Sequence, residues 1–330
     1  VPRLLEVDRL RVEIRDGPRL VRPVDDVSLA LDPGETLGLV GESGCGKTMT
    51  GMSLMRLLPP GGSVVAGSVH LLGRNIAALP KRELRALRGR EIAMVFQDPM
   101  TSLDPTMTIG QQVARPARIH LRLTAKAASK RACETLTMVG IPRAAERLDD
   151  YPFQLSGGMR QRVMIAMALV AEPKLLIADE PTTALDATIQ EEILDLLDDL
   201  KGRLGMGMLL VTHDFGVIAG RADRVMVMYA GRIVEHGAVD AVLRSPRHPY
   251  TEALLRSIPR LGQDRSERLA TIPGLPPDLT RAFTGCRFAP RCQYATDICR
   301  AEDPALGGRN ADHPFACFHP RLVENALVAL

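Results

Sequence analysis

The chain has 330 residues, 45% of them hydrophobic, and a net charge of only +3. That length allows two domains, or one large domain with an appendage. The near-neutral balance, with no dense Lys/Arg block, argues against nucleic acid as the main ligand, because phosphate backbones demand clustered positive charge. Aromatic residues make up 3% and Trp is absent, so Leu, Val, Ile, Met and Ala must fill the core. The longest apolar run, Val163 to Ala171, is far short of the ~20 residues that cross a bilayer. The start, Val1-Pro2-Arg3-Leu4-Leu5-Glu6, is interrupted by charge at once and is not expected to be a signal peptide. The expected location is therefore cytosolic, at most peripheral to a membrane, with the six Cys reduced or metal-bound.

Residues 4–14 alternate loosely (Val7, Leu10, Val12, Ile14), which predicts an edge strand. Val24 to Leu31 repeats the pattern and ends at the turn Asp32-Pro33-Gly34. Thr36 to Val40 reads as a short buried strand. Lys47 to Leu58 reads as a helix stopped by Pro59-Pro60-Gly61-Gly62. Leu79–Arg90 is basic and helical, and Ile92–Phe96 is a strand ending at Gln97. The stretch from about 100 to 155 reads as a helical insertion containing the helix Thr124–Val139. A buried helix, Met159–Ala171, follows and is ended by Pro173. Next come a strand at 175–178, a helix at 188–204 and the strand Met208–Thr212. The 188–204 helix presents Ile189, Ile193, Leu196, Leu197, Leu200 and Leu204 on one face. Val225–Tyr229 and Arg232–Glu235 flank Ala230-Gly231 as a hairpin. Beyond about residue 245 the chain turns Pro-rich, which predicts a small appended domain held by something other than a large core.

Two motifs point to nucleotide chemistry. Gly41-Glu42-Ser43-Gly44-Cys45-Gly46-Lys47-Thr48 matches the phosphate-loop pattern between an expected strand and an expected helix. Its glycines let backbone N–H groups close around phosphates, Lys47 reaches the β and γ phosphates, and the Thr48 hydroxyl ligates Mg²⁺. A Gly-rich turn with a stray Lys is the plainer alternative, and the strand–loop–helix context argues against it. Asp179 and Glu180 follow the apolar run Leu175-Leu176-Ile177-Ala178. One acid can hold Mg²⁺ and the next can activate a water. Taken alone, the pair could equally cap a strand.

The pair does not stand alone. Leu155-Ser156-Gly157-Gly158-Met159-Arg160-Gln161-Arg162 resembles the signature motif of the ATP-binding subunits of ABC transporters, placed about 20 residues before Asp179 as in that family. Gln97 in Val95-Phe96-Gln97-Asp98-Pro99 resembles the family's Q-loop. Thr183-Ala184-Leu185-Asp186 resembles its D-loop, and His213 in Val211-Thr212-His213-Asp214 its switch histidine. The resemblance implies an α/β P-loop NTPase (ABC ATPase) core with an antiparallel β subdomain and a helical insertion. It implies that Gly41, Ser43, Gly44, Cys45, Gly46, Lys47, Thr48, Gln97 and Asp179 bind ATP. Glu180, His213 and Gln97 would act in hydrolysis, with Thr48 and Gln97 on Mg²⁺. A second ATPase subunit would receive Ser156, Gly157, Gly158 and Met159 in trans over its nucleotide, and Asp186 would serve the D-loop. Two departures stand out. The family stacks an aromatic ring on adenine from its first strand, whereas this chain offers Ile14 and Arg15 and no aromatic residue before Phe96. Met159 stands where many relatives carry Gln.

The tail narrows the resemblance. Arg247-His248-Pro249-Tyr250-Thr251-Glu252-Ala253-Leu254-Leu255, Ile272-Pro273-Gly274-Leu275-Pro276-Pro277 and Gly285-Cys286-Arg287-Phe288-Ala289-Pro290-Arg291-Cys292 form a distinctive series. It resembles the C-terminal extension of dipeptide/oligopeptide importer ATPases. Cys286, Cys292, Cys299 and Cys317 are separated by five, six and seventeen residues. Four thiolates in a core-poor segment suggest a metal in place of hydrophobic stabilisation. Structural zinc prefers two close Cys pairs, and none occurs here. An iron–sulfur cluster tolerates looser spacing, and the resemblance implies a [4Fe–4S] cluster, with zinc second and free structural thiols third. His313 and His319 lie near Cys317 as substitute ligands, though a tail His is more often solvated.

The expected organisation is an ATPase core at 1–98 and 158–244, a helical subdomain with the signature motif at 99–157, and a C-terminal extension at 245–330. The expected function is ATP hydrolysis energising import of dipeptides or oligopeptides from the cytoplasmic face of the cell membrane. The partners implied are a second ATPase subunit (a different chain, or alternatively a second copy of this one), two transmembrane permease subunits and an extracytoplasmic peptide-binding protein, with no nucleic acid. The alternatives are import of nickel or another small solute, and a soluble ABC ATPase acting on nucleic acid.

Overall fold

The computed structural model describes residues 2–183, 185–258, 271–307 and 312–321. In chain order the strands are β1 (Leu5–Asp16), β2 (Arg19–Leu31), β3 (Thr36–Val40), β4 (Gly62–Leu71), β5 (Arg74–Asn75), β6 (Ile92–Val95), β7 (Leu175–Asp179), β8 (Gly207–Thr212), β9 (Arg224–Tyr229) and β10 (Arg232–Ala238). The helices are α1 (Lys47–Leu54), α2 (Lys81–Leu87), α3 (Pro99–Ser102), α4 (Ile109–His120), α5 (Ala125–Met138), α6 (Ala144–Arg147) and α7 (Gly157–Leu169). They continue with α8 (Ala187–Leu204), α9 (Phe215–Ala219), α10 (Val239–Arg244), α11 (Pro249–Arg256) and α12 (Asp297–Ala301). No helix among the described residues is long and apolar enough to cross a membrane. The chain forms two compact units. The first comprises 1–4, 31–35 and 78–209, and the second 5–30, 36–77 and 210–330.

In the second unit, four strands form a sheet in the order β2-β1-β4-β5. β1 is therefore interior, which corrects the edge-strand expectation. It pairs antiparallel with β4 from Leu5↔Leu71 to Ile14↔Gly62. The apolar positions Leu5, Val7, Leu10 and Val12 are all buried, yet the step from 7 to 10 breaks a period of two. A register shift between Asp8 and Arg11, with Arg9 at φ 47°, supplies the extra residue that keeps both halves facing inward. β4 has no counterpart in the sequence reading, because its Gly, Ala and Ser leave most of the strand without a clear alternation. Elsewhere in this unit β9 pairs in parallel with β3 and antiparallel with β10. The β9–β10 turn places Ala230 at φ 48° and Gly231 at φ 84°, the geometry of a tight hairpin. β3 is buried along its whole length, so it reads as one unbroken apolar strand.

In the first unit β6 and β7 pair in parallel, Ile92↔Leu175 to Val95↔Ala178. α4, α5 and α7 pack together around Ile109, Val113, Ala128, Ala132, Leu136, Val163 and Ile165, all buried. Alanines on α5 permit close approach. α4 starts with a full capping box, Thr108 and Gln111, and carries Pro116 within it. α8 buries Ile193, Leu194, Leu197 and Leu200. Leu194 joins this face, whereas the expected Ile189, Leu196 and Leu204 are only half-buried. Each such buried side chain contributes about 2 kcal/mol. β8 carries the chain from the first unit into the second.

Candidate phosphate-binding and thiol sites

The loop Gly41–Thr48 leaves β3 and turns into α1, whose N-cap is Gly46 at φ 112°. A Cβ on Gly46 would lie 1.9 Å from the Pro23 carbonyl oxygen, and one on Gly41 would lie 2.2 Å from that of Met228. Neither position admits a side chain. Gly231 N–H donates to the Cys45 carbonyl at 2.8 Å, tying the loop to the β9–β10 turn. Lys47 is 4% exposed, and its Nζ donates to the carbonyls of Gly41 (2.7 Å) and Glu42 (3.1 Å). The ammonium is thus held inside its own loop. Burial pushes the Cys45 thiol up to about 11, so it stays protonated and packs as a small apolar group. Glu42 is held by two residues the sequence did not connect with the loop. Tyr250 Oη accepts from its N–H at 2.8 Å, and Arg291 donates to both carboxylate oxygens.

His213 belongs to the same unit and is exposed just beyond β8. The turn that carries it is fixed on both sides. Asp214 N–H donates to Thr212 Oγ1 at 3.1 Å, and the Asp214 carboxylate caps α9 by accepting from Gly216 N–H at 2.7 Å.

The remaining motif residues lie in the first unit. Asp179 is the last residue of β7 and 2% exposed. Glu180 adopts φ 45°, a left-handed conformation that side chains resist and that is concentrated at functional sites. The turn redirects the chain, and the Glu180 carboxylate accepts from Gln97 Nε2 at 3.1 Å and Thr183 Oγ1 at 3.0 Å. The sequence connected Gln97 with Mg²⁺; here it also touches Glu180. Ser156 is the N-cap of α7, its Oγ accepting from Met159 N–H at 3.4 Å. Gly157 and Gly158 therefore form the first helical turn, two residues earlier than the sequence placed the helix start. A Cβ on Gly158 would lie 2.7 Å from Ile189 Cγ2, so this glycine lets α7 approach α8. Gln161 Nε2 donates to the Pro181 carbonyl at 2.5 Å, joining α7 to the turn after Glu180. Asp186 caps α8 by accepting from Ile189 N–H at 3.0 Å. Ala184 of the same motif lies outside the described residues.

In the second unit Cys286, Cys292, Cys299 and Cys317 line one cavity, shared with His319, Tyr294 and Phe318. None is in a disulfide. Burial, reinforced by the other three thiols, pushes Cys317 up to about 12, and burial raises Cys286 and Cys292 as well. No group of three or more His, Cys, Asp or Glu side chains among the described residues is gathered as ligands of a single metal ion. His313 is buried with Nε2 at 2.7 Å from Glu235 Oε1, so it is neither solvated nor turned to the thiols. His319 Nε2 lies 2.7 Å from Thr296 Oγ1 at the cavity wall.

Comparison with known proteins agrees with this geometry. Residues 24–183 match the family model described as ABC transporter, and residues 234–299 match that of the oligopeptide/dipeptide transporter C-terminal region. A Brucella melitensis protein named as a peptide import ATP-binding protein is 51% identical over 95% of this chain and 96% of its own length. A Sinorhizobium fredii protein named as a peptide ABC transporter ATP-binding protein is 47% identical over 98% of this chain and 96% of its own length. Among solved structures, the dimeric ATP-binding cassette MJ0796 with ADP and Pi has a TM-score of 0.64 at 28% identity, covering 71% of this chain and 98% of that one. The cbiO1 component of the Clostridium perfringens ABC transporter complex cbiONQ has a TM-score of 0.62 at 28% identity, covering 73% and 91%.

Proposed function

This chain belongs to the ABC transporter family as the ATP-hydrolysing subunit of a peptide importer, and on that premise we propose how its residues divide the work. Lys47 exchanges the carbonyls of Gly41 and Glu42 for β- and γ-phosphate oxygens. The amides of Ser43 to Thr48 wrap the same anion, because backbone N–H groups at a helix N-terminus carry partial positive charge. The Thr48 hydroxyl, Asp179 and Gln97 would hold Mg²⁺, which would supply positive charge against the phosphates. Glu180 accepts a proton from water as its oxygen attacks the γ-phosphorus and the bond to ADP breaks. His213 holds the γ-phosphate. Ser156 and the first turn of α7 close over the nucleotide of a second ATPase chain. We take that partner to be a different polypeptide.

The observation that carries this reading is the loop itself, a buried ammonium held among loop carbonyls where only glycine fits at two positions. We place the chain on the cytoplasmic face of the cell membrane, under two permease subunits fed by a peptide-binding protein. The helical segment 99–157 is the contact to the permease. Phe153 (67% exposed) and Met100 (64% exposed) support this assignment, because large apolar side chains at a surface suit a protein partner. The core at 1–98 and 158–244 and the extension at 245–330 complete the proposed organisation.

We propose a [4Fe–4S] cluster at the four thiols. The donor set suits it. Zinc draws its thiolates to about 2.3 Å from one point, whereas a cluster gives each thiolate its own iron. The four thiols line one cavity, one donor for each iron of such a cluster. Four thiolates around one cavity would repel one another unless cationic metal compensated them. A bound cluster would supply covalent ties among three stretches of a core-poor segment.

The functional reading is tested by recovering the tagged chain from solubilised membranes. Two integral membrane proteins and a second ATPase should accompany it. Recovery with nucleic acid and without membrane proteins would overturn the assignment.

A further inference from the structure

The phosphate loop is gripped from outside by the C-terminal extension. Arg291 is almost wholly buried, with its side chain 5% exposed. Its Nη1 and Nη2 donate to the two Glu42 oxygens at 2.7 and 2.9 Å, a bidentate pair. Its Nε donates to the Pro273 carbonyl at 2.8 Å, so the guanidinium has little freedom left. The Glu42 backbone is held as well. Its N–H is bonded to Tyr250 Oη, and its carbonyl accepts from Lys47. The amide, carbonyl and carboxylate of the first residue after Gly41 are therefore each committed.

The grip leads directly to the thiols. Arg291 ends a tight turn, Ala289–Arg291, between Cys286 and Cys292. Ala289 N–H donates to the Cys286 carbonyl at 3.0 Å, Arg291 N–H to Phe288 at 2.9 Å and Cys292 N–H to Ala289 at 3.3 Å. Phe288 packs edge-on against Tyr229, with centroids 5.2 Å apart, and lies 5.4 Å from the Tyr250 ring. The short run 286–292 thus carries the ion pair to Glu42 and aromatic contacts to Tyr229 and to Tyr250, whose hydroxyl accepts from the Glu42 N–H. A bidentate pair with one partner buried is the geometry in which an ion pair has a measurable effect, unlike exposed pairs.

We infer that Arg291 is a positioning residue for ATP binding, acting through Glu42 to hold the first turn of the phosphate loop. The Cys286–Cys292 segment thereby sets nucleotide affinity without touching nucleotide. This rests on the phosphate-loop reading and is independent of what the thiols bind.

The test compares full-length chains carrying Arg291→Met, Arg291→Lys, Glu42→Gln and the pair Glu42→Gln/Arg291→Met. Mg-ATP affinity is measured on each, and KM and kcat on the assembled importer. Arg291→Met should weaken ATP binding roughly tenfold, about 1.4 kcal/mol, and raise KM with kcat nearly unchanged. Arg291→Lys should recover part of the loss. The double variant should be no worse than the poorer single one, because both remove the same contact. Should Arg291→Met not fold, Glu42→Gln reads the same pair from the loop side. Unchanged affinity in the folded variants, or additive losses in the pair, would overturn the inference. Failure of the unaltered chain to bind ATP would instead overturn the phosphate-loop reading.

Discussion

In the proposed mechanism, nucleotide binding turns on Lys47. Its ammonium is buried and already satisfied by two carbonyls, so ATP must offer it something better, and ionised phosphate oxygens do. Charge-assisted hydrogen bonds of this kind contribute about 1.5–3 kcal/mol. Lys47→Ala should therefore reduce ATP affinity on the order of 100-fold, read by titration of the purified chain. Retained affinity would contradict the role. Asp25 makes a second residue-level case. Burial alone would raise its pKa, but Arg287, Arg232 and Arg11 together pull it below the usual carboxylate value. Arg287 donates to it and to the Ala230 carbonyl, joining the extension to β2 and to the β9–β10 turn. A carboxylate with a lowered folded pKa stabilises the fold above its unfolded pKa of 3.8, and that contribution is lost as pH falls through the folded value. Acid unfolding below about pH 4 should consequently be shallower in Asp25→Asn. At pH 7 the same variant should lose about 3 kcal/mol, because it leaves Arg287 buried without its counter-charge. Identical acid limbs in chemical denaturation would contradict this role of Asp25.

At the scale of elements, the thiol-bearing segments have only short helices and turns of their own, α12 and the turn Ala289–Arg291 among them. Such a segment needs cross-links, and the four thiols around one cavity are where a cluster would provide them. Protein purified without oxygen should be brown and contain iron and acid-labile sulfide. Replacing Cys286 and Cys292 by Ser should bleach it and lower its melting temperature. Colourless protein with stoichiometric zinc would reverse the assignment. The elements also show what sequence could convey. α8 and the β9–β10 hairpin were legible because their apolar periods are clean and Ala230-Gly231 suits a tight turn. β4 was not, since Gly, Ala and Ser blur its alternation. β1 looked like an edge because nothing local announces its two neighbours.

At the scale of the whole molecule, the chemical motifs were legible as local strings. A phosphate loop needs its glycines and lysine in fixed order, whatever surrounds it. The contacts that hold those strings in place were not legible. Arg291 and Glu42 are 249 positions apart, and Arg287 and Asp25 are 262 apart. Only folding brings them together, and neither residue type is unusual where it stands. The same holds for the left-handed turn at Glu180, which no neighbouring glycine signals. Its hydrogen bonds from Gln97 and Thr183 fix the carboxylate to which the proposed mechanism assigns the proton. Glu180 is proposed to activate water for ATP hydrolysis between two paired subunits. Its most direct test is Glu180→Gln in the assembled importer, with ATP turnover and bound nucleotide measured together. Turnover should fall by roughly 100-fold or more, the usual loss of a general base, with intact ATP retained in a closed pair. Unchanged turnover, or an ATPase pair that does not hold ATP, would contradict it.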